Sequence, residues 1–185
     1  YGDGENFFRS MYYHMSRMQT QSVQTAMNEL SNHDHSRFMT RTNRTVGRIG
    51  NMGPAAAEKG VHHGIFREGV LIQMTWPGAP TIYYGDETGM CGWTDPDNRR
   101  TYPWGREDSE LLAHYRMLAG LRKQYPFLVS GGFSLQSYGE HVILCERRAD
   151  SREEQILAVV NRHLFGNVSV EVELPQGAGW VFDLI

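Results

Sequence analysis

The sequence predicts an α/β protein in which helices alternate with strands of a parallel sheet, followed by a small antiparallel β domain. Two observations carry this prediction. Up to residue 126, three long segments space their apolar residues as helices do, and two short strand-like runs lie between them. From about residue 131, short segments alternate apolar and polar residues and are separated by turn residues. The pair Gly131-Gly132 marks the change, so we predict one unit over 1–130 and a second over 131–185.

The first unit is predicted to run helix, strand, helix, strand, helix. The first helix is expected over 5–19, and a short strand over 26–30 ends in a polar cluster. A polar loop over 38–57 precedes a second helix over 55–75. The β-branched and aromatic run 81–84 predicts the next strand. Met and aromatic residues form one stripe on the first helix, which predicts core positions for Phe7, Phe8, Met11, Tyr12, Met15 and Met18.

The remaining elements follow from capping residues and from residue alternation. A loop rich in Gly, Asp and Trp is predicted over 88–107. The third helix is expected to begin at a cap formed by Asp108 or Ser109 and to close at Pro126. The predicted strands of the second unit are 133–138, 141–147, 155–160, 167–174 and 180–185.

The composition excludes several classes of function. Lys and Arg number 18 against 21 Asp and Glu, a net charge of -3 that gives no basic surface for nucleic acid. No apolar run is long enough to span a membrane. Cys91 and Cys145 are far apart in the sequence and have no metal-ligand spacing, and two buried or free thiols are favoured over the alternative of a disulfide. The adjacent His62-His63 has no Cys at ligand spacing and lies in a predicted helix, where neighbouring side chains diverge, so we predict no metal site.

Polar clusters follow the predicted strands, at the positions where α/β enzymes carry their ligand loops. The first cluster is Asn32-His33-Asp34, with Arg37 behind it. A carboxylate there can stabilise a cationic transition state or orient a sugar hydroxyl, and a neutral His33 can donate to a hydroxyl. The alternative is a turn or a helix cap, and the triplet alone favours that alternative.

Two further clusters follow the second strand. Asp86 and Glu87 are adjacent and would point to opposite faces of a strand, which favours salt bridges with arginines over one catalytic pair. In the segment 95–100, Asp and Arg side chains on a rigid loop can grip sugar hydroxyls, and the aromatic residues of 102–104 can stack on sugar rings. A solvated turn with a local ion pair explains this last cluster equally well.

Taken in order, these clusters resemble the α-amylase family of glycoside hydrolases. The nearest branch is that of the cyclomaltodextrinases, neopullulanases and maltogenic amylases. The triplet NHD at 32–34 is a weak motif alone. The stretch PGAPTIYYGDE at 77–87, followed by DPDNRR at 95–100 and YPW at 102–104, is specific.

The resemblance implies a (β/α)8 barrel, or TIM barrel, followed by an antiparallel β-sandwich. Residues 26–30 and 81–84 would be the seventh and eighth barrel strands, and 131–185 the C-terminal sandwich, cut short at Ile185. The family's nucleophile and acid/base belong to earlier barrel strands, and nothing in residues 1–30 matches them. We therefore expect this sequence to be the C-terminal fragment of a longer enzyme.

The resemblance also assigns roles to four residues. Asp34 would be the transition-state stabiliser of a retaining α-glucan hydrolase, and His33 would hydrogen-bond the same sugar. Asp95 and Arg99 would grip the non-reducing end of a maltodextrin substrate. A transglycosylase of the same family and a non-catalytic carbohydrate-binding relative remain open.

Further expectations concern cofactors, location and assembly. No cofactor is implied by these residues, although some members of the family bind calcium. The cyclomaltodextrinase-like branch favours a cytoplasmic location. Two barrel strands alone leave open sheet edges, so we expect self-association through those edges.

Overall fold

The computed structural model describes residues 3–151, 154–161, 167, 169 and 171. The helices α1 to α7 are Gly4–Met15, Thr20–Thr25, Phe38–Arg41, Ile49–Met52, His63–Thr75, Ser109–Gln124 and Phe127–Ser130. The strands β1 to β5 are Met27–Glu29, Ala79–Thr81, Gly132–Tyr138, Val142–Arg148 and Gln155–Asn161. Single 3-10 turns occupy Pro54–Glu58, Asp86–Thr88 and Asp97–Arg99.

Strands β1 and β2 form a parallel pair joined through helix α5. Their register places Met27 opposite Ala79 and Glu29 opposite Thr81. A parallel pair needs a crossover connection, and α5 is the long helix within it. The buried Gln73 of α5 donates from Nε2 to the carbonyls of Asn28 and Thr81, each at 2.9 Å. One side chain thus fixes the helix against both strands.

The structure confirms the first strand and corrects the second. Strand β1 falls within the predicted 26–30. The prediction of a strand over 81–84 is wrong, because the strand is Ala79–Thr81 and ends where that segment begins. Strand β1 has three residues, so β2 can pair with it over three residues only. Beyond β2, the carbonyl of Tyr84 accepts a hydrogen bond from the Arg37 side chain instead of from a strand.

The first predicted helix divides into two. Helix α1 ends at Met15 instead of at residue 19, and α2 follows at Thr20. Tyr12 is 66% exposed and Met18 is 44% exposed, so their assignment to the core is wrong. The contact that α1 does make with the core runs through Phe7, because its ring packs edge-on against Trp76 with 5.9 Å between the ring centroids.

The region over 38–75 also differs from its prediction. The predicted loop over 38–57 contains the short helices α3 and α4. The helix expected over 55–75 is a 3-10 turn followed by α5, which begins only at His63. Gly60 separates them, since its φ of +68° belongs to the left-handed region and cannot continue a right-handed helix. The capping prediction for α6 is confirmed, because Asp108 Oδ1 accepts from the N–H groups of Glu110 and Leu111 at 3.0 Å.

The described chain after Gly131, called its second half below and the preceding part its first half, is an antiparallel sheet in the order β3-β4-β5. These strands confirm the predictions at 133–138, 141–147 and 155–160 to within one residue at each end. The central strand β4 is the most buried, with the side chains of 142–145 all inside the core. The strands predicted at 167–174 and 180–185 lie outside the described residues, apart from three isolated positions.

One apolar cluster connects both halves of the described chain. It joins Phe66 of α5 and Leu118 of α6 to Ile143 of β4 and Val160 of β5. The packing is therefore continuous across Gly131, and the division into two units stays a prediction. Cys91 and Cys145 are both buried free thiols, as expected. None of the helices in the described part has the length and hydropathy needed to cross a lipid bilayer.

The buried guanidinium of Arg147 connects the two halves by hydrogen bonds. Arg147 lies on β4, and burial lowers its pKa to about 10, so the side chain remains protonated at neutral pH. Its positive charge lies among carbonyl groups at the ends of α5 and α7, where the helix dipole favours a cation. It donates over distances of 2.8 to 3.3 Å to the carbonyls of Thr75, Phe127, Leu128, Gly131 and Gly132.

We expect Arg147→Met to lower the free energy of unfolding by about 3 kcal/mol, because several buried carbonyls lose their donor. The neighbouring Arg148 is partly exposed and pairs with Glu146 at 3.4 Å, so Arg148→Met should cost less than about 1 kcal/mol. Urea denaturation of the two variants measures the difference. Equal losses would show that Arg147 does not hold the two halves together.

Candidate functional site

The turn after β1 presents His33 and Asp34 to solvent. Asn32 Oδ1 accepts from the N–H groups of Asp34 at 3.0 Å and His35 at 3.2 Å, which closes a local side-chain turn. The side chain of Asp34 is 71% exposed, and its Oδ1 lies 3.4 Å from His33 Nε2. The turn predicted as the alternative is therefore present, and it is made by Asn32. It leaves the carboxylate and the imidazole accessible to a ligand.

Arg37 joins this turn to the loop that follows β2. Its side chain is fully buried, and Nε donates to the carbonyl of Asn98 at 2.9 Å. Nη1 donates to the carbonyl of Tyr84 at 2.5 Å and to Asp86 Oδ1 at 3.1 Å. The guanidinium also lies 4.1 Å from the centroid of the Tyr83 ring, a cation–π contact. The loops after the two parallel strands therefore meet at one buried charge.

The two adjacent carboxylates of the second cluster are used within the fold. Asp86 pairs with Arg37, which confirms the expected salt bridge between this cluster and an arginine. Burial raises the pKa of Asp86 to about 6, while hydrogen bonding to Ser31 and the charge of Arg37 act in the opposite direction. Glu87 Oε2 accepts from the N–H of Gly85 at 2.8 Å. Asp86 and Glu87 therefore do not form a solvent-exposed pair of carboxylates.

Asp95 and Arg99 form an exposed ion pair on the loop after β2. The hydrogen bond to Asp95 raises the pKa of Arg99, and the negative charge of Asp34 contributes in the same direction. Asp34 of the first cluster and Arg99 of the third form no direct ion pair, and Arg99 pairs with Asp95 instead. Both groups are exposed, so hydroxyl groups of a ligand can reach them.

Asp97 has a different environment from Asp95, although only one residue separates them. Its carboxylate is buried, accepts from the N–H of Trp93 at 2.8 Å and receives two hydrogen bonds from Arg100. Arg100 also bonds Glu58 Oε1 and the carbonyl of Pro54, both at 2.6 Å. Asp97 thereby fixes the loop against the 3-10 turn that begins at Pro54.

Asn98 belongs to the site: the sequence singled out its segment, 95–100, but indicated no role for Asn98 itself. Its side chain is fully buried, and Nδ2 lies 2.8 Å from the carbonyl of His33 and 2.9 Å from that of His35. These partners lie more than 60 positions away in the sequence. No local pattern reports such a contact, since the acceptors are backbone groups that every residue carries.

Exposed aromatic rings lie on the same loop. Trp104 is 81% exposed, and its ring centroid lies 4.5 Å from that of Tyr102. Tyr84 is also exposed and donates from its hydroxyl to the carbonyl of Arg100 at 2.9 Å. Rings held in this way offer apolar faces for stacking.

An open groove lies beside Asp95. It has a volume of about 440 Å³, within the ~300–1,000 Å³ common for small-molecule sites, and Arg48 and Asp95 give it both signs of charge. Its remaining lining residues are Ile49, Gly50, Asn51 and Thr94. Within the described residues, no three His, Cys, Asp or Glu side chains are grouped closely enough to hold a metal ion.

The raised pKa of Asp86 predicts a pH dependence of stability. A carboxyl whose pKa increases on folding stabilises the folded state below its unfolded value of 3.8, and this contribution disappears as the pH rises through about 6. Between pH 4 and pH 7, we expect the wild type to lose about 2 kcal/mol of unfolding free energy relative to Asp86→Asn.

Urea denaturation across this pH range measures the difference for Asp86. The exposed Asp150 supplies a control, since Asp150→Asn should keep the wild-type pH dependence. Parallel curves for wild type and Asp86→Asn would contradict the burial argument.

Comparisons with known proteins match the part of the chain that carries these clusters. The family profile described as "Alpha amylase, catalytic domain" matches residues 4–103. The chain is 37% identical over 107 residues to the amylopullulanase of Thermoanaerobacter thermohydrosulfuricus, which covers 58% of this chain and 7% of that protein. It is 33% identical over 119 residues to the cyclomaltodextrinase of Geobacillus thermopakistaniensis, covering 62% and 20% respectively.

A solved structure gives the same result. The chain superposes on the debranching enzyme from Nostoc punctiforme with a TM-score of 0.68 and 26% identity, over 84% of this chain and 28% of that one. In each alignment the chain spans less than a third of the relative's length. The resemblance drawn from the motifs is confirmed, and this chain belongs to the α-amylase family.

Proposed function

We propose that the protein is a retaining α-glucan hydrolase that acts on maltodextrins, with Asp34 as its transition-state stabiliser. One observation carries the proposal: Asp34 is exposed beside His33 on a turn whose backbone is hydrogen-bonded by the buried Asn98. The names of two relatives, amylopullulanase and cyclomaltodextrinase, support an α-glucan as the substrate class.

The chemistry of the site fits this reaction. Retaining glycosidases pass through a transition state that resembles an oxocarbenium ion, and a fixed carboxylate stabilises such a cation electrostatically. His33 can hydrogen-bond a hydroxyl of the same sugar, and the paired Asp95 and Arg99 offer an acceptor and several donors to a neighbouring sugar. These roles need no cofactor.

Under this proposal, the catalytic residues are divided between this chain and other parts of a longer protein. The parallel strands β1 and β2 with α5 would be the last part of a (β/α)8 barrel, and β3 to β5 the beginning of a C-terminal β-sandwich. The nucleophile and the acid/base would come from barrel strands outside this chain. The small share of each relative that the chain covers supports this assignment.

The first test is hydrolysis of a maltodextrin or a cyclodextrin by the complete enzyme that contains this chain. We expect Asp34→Asn to lower kcat about 100- to 1,000-fold, because the oxocarbenium charge loses its stabilising carboxylate. Asp150→Asn, on an exposed turn away from the site, should leave kcat unchanged. Full activity of Asp34→Asn would remove the proposed role.

The 185-residue chain alone should show no hydrolysis in the same assay. If it is active, the nucleophile and the acid/base lie within it, and the roles of Asp86, Glu87 and Asp97 must be reassigned. Product analysis separates hydrolysis from transglycosylation, since only the latter yields chains longer than the substrate.

A second prediction concerns the chain when it is expressed alone. A two-stranded parallel sheet has two unpaired edges, which offer N–H and C=O groups to another strand. We propose that the isolated chain self-associates through β1 and β2. Sedimentation velocity should show oligomers that dissociate on dilution, and Met27→Lys, which places a charge on β1, should weaken them. A monomer at every concentration would contradict this proposal.

A further inference from the structure

Asn98 lies directly beneath the turn that carries His33 and Asp34. Its side chain is fully buried, and its amide Nδ2 lies 3.3, 2.8 and 2.9 Å from the carbonyls of Asn32, His33 and His35. One amide group therefore contacts the backbone on both sides of Asp34. We propose that Asn98 is a positioning residue that holds Asp34 in its working geometry, an inference that rests on the proposed role of Asp34.

The chemistry of this contact requires an amide at position 98. Three carbonyl oxygens surround Nδ2, so the orientation of the amide is fixed by its acceptors. Asn98 Oδ1 is buried and has no hydrogen-bond partner within the described residues. An aspartate has nearly the same shape but would place a carboxylate oxygen against three carbonyl oxygens. The donor group is therefore the feature that the turn depends on.

Asn98 is itself held from two directions. Its carbonyl accepts from Arg37 Nε at 2.9 Å, and Arg37 donates its backbone N–H to the carbonyl of Gly92 at 2.9 Å. The backbone of Asp97 and Asn98 packs so closely on Gly92 that a Cβ there would lie 2.4 Å from the Asp97 carbonyl oxygen. The anchor of the turn is thus rigid, which a positioning role requires.

The same anchor sets the distance between the two sugar-binding groups. Asn98 and Arg99 are neighbours in one 3-10 turn, and Arg99 pairs with Asp95. Asn98 also bonds the turn of Asp34, so Asp34 and the Asp95–Arg99 pair belong to one connected body. Asn98 thereby fixes where one sugar lies relative to the next, without touching either.

The test uses Asn98→Asp in the complete enzyme, with maltodextrin as the substrate. We expect kcat to fall about 100-fold, as for a catalytic group displaced by about 1 Å. In the Asp34→Asn background, the same change should lower kcat less than threefold, because the group that Asn98 positions is already absent. An equal loss in both backgrounds would assign Asn98 a purely structural role and overturn the proposal.

A control with the same substitution is available at Asn43, which is partly buried. Asn43 also donates its amide to a backbone carbonyl, that of Lys59 at 3.1 Å, and lies outside the site. Asn43→Asp introduces the same chemical change and should leave kcat within about twofold of the wild type. If Asn98→Asp does not fold, Asn98→Ala removes the donor without adding a charge and is tested in the same two backgrounds.

Hydrogen–deuterium exchange provides a readout that does not depend on activity. The N–H groups of Asp34 and His35 bond to Asn32 Oδ1, so loosening of the turn should speed exchange in the peptide over 31–37. We expect faster exchange there in Asn98→Asp and wild-type exchange in Asn43→Asp. Unchanged exchange in a folded Asn98→Asp would overturn the proposal. Faster exchange in an enzyme that hydrolyses no α-glucan would sustain the positioning role and reject the proposed function instead.

Discussion

The candidate site depends on the burial of one guanidinium between two loops. Arg37 belongs to the turn after β1, and its partners Tyr84, Asp86 and Asn98 belong to the loop after β2. A fully buried cation is costly unless its donors find acceptors. Nε and Nη1 find theirs on the loop after β2 and so hold the two loops together, whereas the buried Nη2 has no hydrogen-bond partner among the described residues. The exposed side chains on the turn after β1 and on the loop after β2 are thereby held relative to each other.

Charge is divided between the interior and the surface of this region. Asp86 and Asp97 are buried and pair with arginines inside the fold. Asp34 and Asp95 are exposed and free to meet hydroxyl groups, although Asp95 lies only two positions from Asp97. Burial therefore decides which carboxylates support the fold and which are available to a ligand.

The sequence predicted the elements that depend on local chemistry. The cap at Asp108 and the three antiparallel strands follow from capping and alternation, and both were found. The second parallel strand was misplaced because its limits depend on pairing with β1, which no local pattern encodes. Tyr12 was assigned to the core because it lies on the apolar stripe of its helix. Such a stripe shows which side of a helix is apolar, but not whether other elements extend far enough to cover each residue on it. The segment 95–100 was singled out, but the role of Asn98 within it was not predicted, because its partners are backbone carbonyls of a distant segment.

The contact made by Arg147 bears on how this chain can be divided. Thr75, the last residue of α5, presents its carbonyl to the Arg147 side chain from β4, and the carbonyl of Gly131 accepts from the same guanidinium. A cut at the glycine pair would remove Arg147 from the end of the crossover helix and leave Arg122 of α6, which donates to the carbonyl of Met74 at 2.7 Å, as a cation at that helix end. The glycine pair that the sequence pattern marks as a boundary thus lies within a set of hydrogen bonds that connects both sides. A shortened chain that ended there would lose the hydrogen bond from β4 to α5, the helix that packs against β1 and β2.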